Sequence, residues 1–120
     1  MATITIYISK QANGTGLHLE DSEGHSADNS ITTIANPGDT IIWQLKAGGG
    51  IDQITAITAK EGSQDVFSTD PAPVDTSNPA TNWQGVVSTS ATGTESYNIA
   101  YKIGQTPYTD DPEIEVEDDG

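Results

Sequence analysis

A chain of 120 residues is long enough to bury one hydrophobic core without disulfide or metal staples, and this one sets eighteen Asp and Glu against four Lys and no Arg, a formal charge of −14. That charge repels a phosphate backbone and opposes binding to anionic lipid, which leaves cations, basic protein surfaces or plain solubility as its uses. Cysteine is absent, so disulfides, thiolate nucleophiles and thiolate metal sites are excluded together.

Leu appears only at Leu17, Leu19 and Leu45, while Thr, Ser, Ile, Val and Gly abound. This balance points to an all-β fold rather than a helix bundle. Ile4, Ile6 and Ile8 alternate with Thr3, Thr5, Tyr7 and Ser9, a period of two that predicts a strand with one apolar and one polar face. Asn13-Gly14 supplies a tight turn, after which Leu17 and Leu19 resume the alternation as a hairpin or a sheet-crossing corner. Residues 20–29 are polar and are expected to form a loop. A strand over 30–35, a β-turn at Asn36-Pro37-Gly38-Asp39 and a strand over 40–46 with Ile41, Trp43 and Leu45 on one face come next. Gly48-Gly49-Gly50 makes a connection to a strand over 53–60, with Ile54 and Ala56 on one face, and Val66-Phe67 forms a short further strand.

Pro71, Pro73 and Pro79 among Asp, Ser, Thr and Asn predict one long surface loop over 68–82, because proline denies ladder hydrogen bonds. Two strands follow, over 83–89 with Trp83, Gly85 and Val87 inward and over 96–103 with Tyr97, Ile99, Tyr101 and Ile103 inward. A last strand over 113–117 turns Ile114 and Val116 inward and Glu113, Glu115 and Glu117 outward, a carboxylate ladder that would keep edge strands from pairing between copies. Seven or eight short strands separated by turn signals predict a Greek-key β-sandwich, a single domain over residues 1–120. The first eight residues have neither a basic region nor an unbroken apolar run, and no later run could cross a bilayer. A cytoplasmic location is therefore expected unless a leader was removed ahead of Met1.

The order of an N-terminal alternating strand, Gly38-Asp39-Thr40-x-x-Trp43, Tyr97-x-Ile99-x-Tyr101 and a closing Ile114-x-Val116 resembles the cupredoxin sandwich. A generic immunoglobulin-like sandwich is the alternative. The resemblance implies a His after the Trp strand and a Cys, His and Met cluster after the Tyr strand, the soft sulfur and imidazole set that suits copper. Residues 47–52 hold no His, and residues 102–108 hold no Cys, His or Met. Electron transfer is therefore not carried over, no cofactor is expected, and the function must be argued from loops and surface.

Catalysis is not expected, because the two histidines sit in one polar stretch, His18 to His25, with no strained nucleophile turn. The same stretch gathers Glu20, Asp21, Glu23 and Asp28 around those imidazoles and has the nitrogen and oxygen donors of a transition-metal site. His18, between Leu17 and Leu19, should face solvent. The reading reached from these residues is a non-enzymatic, copper-free acidic binding module whose partner is a protein or a glycan. One alternative is a calcium- or other divalent-cation-binding domain using Asp70, Asp75, Asp110 and Asp111, with the last two in a turn. A further alternative is a glycan-binding module using Trp83 and Tyr108 at loop edges, although Trp83 reads first as a lid on the core.

Overall fold

The computed structural model describes residues 3–11, 14–28, 31–46, 48–60, 66–74, 82–90 and 93–116, and these contain eleven strands and no helix. Accordingly, no helix among them is long and apolar enough to cross a membrane. The strands are β1 (Thr3–Lys10), β2 (Leu17–Asp21), β3 (Ser26–Asp28), β4 (Thr32–Ala35), β5 (Thr40–Leu45), β6 (Gln53–Ala59), β7 (Phe67–Pro73), β8 (Asn82–Val87), β9 (Gly93–Ile103), β10 (Thr106–Asp110) and β11 (Glu113–Val116). One sheet has six strands in the order β3-β2-β1-β5-β8-β7. The other has the order β10-β9-β11-β4, with β6 paired to β9. The expected all-β sandwich is therefore what forms, with short edge pieces raising the number of strands above seven or eight.

Period-two alternation does most of this work. Ile4, Ile6 and Ile8 from β1, Leu17 and Leu19 from β2, Ile41 and Trp43 from β5, and Tyr97, Ile99 and Tyr101 from β9 are all buried in one core between the sheets. β1 runs antiparallel to β2 and parallel to β5, with Ile6 opposite Trp43. The Asn36–Asp39 turn carries the chain from β4 in one sheet to β5 in the other. Its Asn36 carbonyl accepts the Asp39 N–H at 3.1 Å, and the Asp39 carboxylate accepts the Asn36 N–H at 2.9 Å. Gly38 lies at φ 89°, the conformation the third position of such a Pro-Gly turn demands.

The last three strands form one long hairpin. β9 pairs with β10 and then β11 in an unbroken register, from Ile103 opposite Thr106 to Gly93 opposite Val116. A two-residue turn at Gly104-Gln105 closes it, with Gly104 at φ 62°. Pro112 cannot donate and so divides the arm, but its carbonyl still accepts the Tyr97 N–H at 3.1 Å.

Several expectations are corrected. Residues 20–29 do not form a plain loop: β2 extends through Asp21, and β3 follows from Ser26. The proline-rich stretch is not a loop throughout. β7 runs to Pro73 as an edge strand, with register breaks between Phe67 and Thr69 and between Thr69 and Ala72. An edge with bulges is where a sheet tolerates proline. Ile54 and Ala56 do not share the inner face, because a bulge between them shifts the phase and buries Ile54 and Ile57 instead. β11 is not an edge, since it pairs with both β9 and β4. Glu113 bridges outward to Thr32 at 3.3 Å and Ser96 at 3.2 Å, tying three strands together rather than guarding a free edge.

Candidate functional site

The hairpin between β2 and β3 concentrates the chain's ionisable chemistry. Leu17, Leu19 and Asp21 share one phase of β2, so Asp21 turns inward with a fully buried side chain. Its Oδ1 accepts the backbone N–H groups of Glu23 at 3.0 Å and His25 at 2.9 Å, which shapes the tight reversal. Its Oδ2 accepts the Thr33 hydroxyl at 3.0 Å and faces His25 Nδ1, also at 3.0 Å. Thr33 lies on β4 of the opposite sheet, so this carboxylate ties the two layers together. An ionised carboxylate only accepts, so the imidazole proton sits on Nδ1.

Asp21, Glu23 and His25 each offer a potential ligand atom within 4.8 Å of the others, the one such trio among the described residues. The four hydrogen bonds on Asp21 account for that carboxylate as a clasp of the fold. Partial burial, followed by repulsion from Asp21, holds the Glu23 carboxyl above the usual carboxylate range, despite the attraction of His25 and a backbone hydrogen bond at Ile34. The native chain therefore keeps this proton at a pH where the unfolded chain has lost it, and the group's contribution to stability falls as pH rises from the ordinary Glu value through the raised one. Glu23→Gln is expected to raise the melting temperature at about pH 7, by no more than about 3 °C. Below the ordinary Glu value, at about pH 4, the gain should shrink toward nothing. Paired thermal melts check this, and an equal gain at both pH values would refute the electrostatic origin.

Of the expected cation ligands, the described Asp70, Asp110 and Asp111 do not converge on one site. Asp110 ends β10 rather than sitting in a turn, and its Oδ2 accepts the Leu17 N–H at 2.7 Å and the Tyr101 hydroxyl at 3.3 Å. Asp111 pairs with Lys60 at 2.7 Å, and this contact holds its carboxyl below the usual range. Asp70 is exposed on β7 of the other sheet, and Asp75 lies outside the described residues.

The expected sugar platforms are also placed otherwise. Trp83 is 8% exposed and belongs to the core, so it is the lid rather than the platform. Tyr108 is half-buried and stacks on Tyr101, with ring centroids 5.7 Å apart and planes at 24°. His18 is partly exposed, as expected, and pairs with Glu20 at 3.1 Å, while Lys46 lies 3.6 Å from the same carboxylate oxygen.

Outside these clusters, the larger sheet presents an uncharged outer face that no single stretch of sequence displays. Pairing of β1, β5 and β8 lines up Tyr7, Gln44 and Asn82 in one row and Thr5, Ile42 and Gln84 in the next. A third row is Thr3, Thr40 and Val86. None of these side chains is charged, in a chain whose net charge is −14. Tyr7, at 38%, is one of two exposed large hydrophobics among the described residues, the other being Val74. The polar parity of each strand could be read in the sequence, but the adjacency of strands about forty residues apart could not.

No family model matches this chain, and no curated protein matches its sequence. Among solved structures it is similar to the inclusion body protein PixA from Burkholderia cenocepacia J2315, at 12% identity and a TM-score of 0.55, over 97% of this chain and 95% of that one. Identity at that level speaks to the fold alone. Amebosin matches over 74% of this chain and 90% of its own, at 16% identity and a TM-score of 0.34, too low to carry an argument.

Proposed function

We propose that this chain is a non-catalytic, copper-free binding module of cupredoxin-like form, which meets a protein or glycan partner through the uncharged outer face of its larger sheet. The observation that carries the reading is the segregation of charge: the outward side chains of β1, β5 and β8 are neutral, while the acidic residues among the described ones lie on other strands and turns, with Glu20 on β2 and Asp70 on β7 flanking the neutral rows. Net negative charge keeps the molecule soluble and away from anionic surfaces, and a neutral patch within it is where a partner approaches at the least electrostatic cost.

The absence of copper chemistry follows from the residues at one end of the sandwich. Asp52, after β5, donates its N–H to the Lys102 carbonyl at 3.0 Å and accepts the Gly104 N–H on its carboxylate. The loop after the Trp strand and the turn after the Tyr strand thus meet, and the residues meeting there are neither sulfur nor imidazole ligands. A non-catalytic role is supported at the histidine pair as well. The Thr33 hydroxyl donates to Asp21 rather than to His25, so the hydroxyl-to-imidazole relay of a nucleophilic triad is not what this corner builds.

Gln44→Glu combined with Gln84→Glu places two charges on the exposed face, at positions where substitution changes stability by about 0.5 kcal/mol or less. Partners captured by the natural chain are expected to be lost by this variant at an unchanged melting temperature. Capture that survives the new charges would sink the reading. A melting temperature raised far more by Ca²⁺ than by Mg²⁺ would favour the divalent-cation alternative instead.

A further inference from the structure

Resting on the surface reading above, we infer that the outer face of β1, β5 and β8 is a binding site for a neutral, extended oligosaccharide chain, with Tyr7 as the ring beneath a sugar and Gln44, Gln84 and Asn82 as its hydrogen-bonding partners. Three considerations select this occupant. The first is size. Three strands about 4.8 Å apart, of 8, 6 and 6 residues, make a patch of roughly 15 × 20 Å, about 300 Å², well short of the roughly 800 Å² per partner that a stable protein interface uses. A second copy of this chain would also bring another net charge of −14 within about a Debye length, unscreened at sheet-stacking distance. Both arguments disfavour a protein on this face and fit a smaller, uncharged ligand.

The second consideration is the chemistry of the side chains. Tyr7 is exposed at the centre of its strand and opposite Gln44 in the neighbouring one. A tyrosine ring offers an apolar face and a polar tip, the combination that suits the C–H face and the hydroxyls of a sugar. Gln44 and Gln84 are exposed amides that both donate and accept, as sugar hydroxyls do, so neither partner must present a fixed charge. Ile42, in the same row as Gln84, adds apolar ground under the chain.

The third is shape. The rows follow one another along the strands at the pleat spacing, so an extended chain laid on the face meets a further uncharged row at each step. Glu20 on β2 is the registered neighbour of Tyr7, and its carboxylate meets His18 of β2 at 3.1 Å and Lys46, which follows β5, at 3.6 Å. These charges close the neutral rows at the Tyr7 end, with the Lys46–Glu20 pair reaching across β1.

Isothermal titration calorimetry at physiological salt tests the inference with cellohexaose, xylohexaose and mannohexaose as neutral probes and a chitosan hexamer as the cationic one. At least one neutral hexamer is expected to bind the natural chain. Tyr7→Ala should weaken it by about tenfold or more, as removal of a central aromatic anchor does, while Tyr7→Phe keeps the ring and retains binding. Gln44→Ala, at an exposed position, should weaken it at an unchanged melting temperature and so separates lost contact from lost folding. Neutral hexamers that bind equally well to all variants, or not at all, overturn the inference. Binding of the chitosan hexamer alone, abolished by added salt, overturns it too, because attraction to the acidic surface would explain it. If no neutral hexamer binds but the doubly charged Gln44→Glu, Gln84→Glu variant still loses a captured protein, the surface reading stands and the glycan inference falls. If that variant loses nothing, both fall.

Discussion

Trp43→Ala is expected to cost about 3–5 kcal/mol of unfolding free energy, a large part of what a domain of this size has to spare. The ring is wholly buried at the centre of β5, opposite Ile6 on one side and Trp83 on the other. It meets Phe67 of β7 at a centroid distance of 5.8 Å and Tyr97 of β9 edge-on at 5.6 Å, so aromatic rings from both sheets pack on it. Its Nε1–H donates to the Tyr97 hydroxyl at 3.1 Å across the interior, and burial pushes that hydroxyl's pKa far up, keeping it neutral. Alanine would leave a void between the sheets and remove the indole donor together. Trp43→Phe keeps much of the volume and loses the hydrogen bond, and should cost about half as much or less. Chemical denaturation followed by far-ultraviolet circular dichroism measures both, because it does not depend on the indole being removed. A midpoint for Trp43→Ala near that of the natural chain would contradict a core role.

How much of this architecture could be read from residues alone depends on whether parity or pairing decides it. Ile4, Ile6 and Ile8, Trp43, and Tyr97, Ile99 and Tyr101 turn inward as their alternation predicts, because a pleat leaves a strand no other way to bury them. The same parity also marked two buried acids. Asp21 continues the phase of Leu17 and Leu19, and Glu95 precedes Tyr97 in phase, and both are buried. By sequence alone, Asp21 falls in the polar loop expected over 20–29, and the expected Tyr strand begins at residue 96, after Glu95. A carboxylate is costly to bury, but the structure meets that cost with hydrogen bonds, including the Val66 N–H to Glu95 at 2.7 Å. Bulges were beyond reach. One extra residue in β6 reverses the faces after Ile54, and the breaks in β7 let a proline-bearing segment pair at an edge. Long-range pairing was beyond reach too, and it decides the site. Tyr7 gains its neighbours Gln44 and Asn82 only because β1 and β8 flank β5, and Asp110 becomes a latch on Leu17 and Tyr101 only because the long hairpin returns to β2.

Asp21→Ala is the substitution expected to cost most outside the aromatic core, about 2–4 kcal/mol. The carboxylate accepts two loop amides, one imidazole and the Thr33 hydroxyl, and these donors differ in what replaces it. Glu23 lies at an exposed turn and His25 is only half-buried, so water can reach that loop. Thr33 is wholly buried, and its hydroxyl would be left in the interior without that acceptor. A distinct part of the penalty should therefore come from the link between sheets rather than from the turn. Thr33→Val removes the donor and should cost about 1 kcal/mol alone. Combining it with Asp21→Ala should cost less than the sum of the two by about 1 kcal/mol, because a buried group with no polar atom needs no partner. Urea denaturation of the four proteins in this cycle measures the coupling. Strict additivity would mean that Asp21 stabilises only its own hairpin, and the two layers would then be held together by apolar packing without this bond.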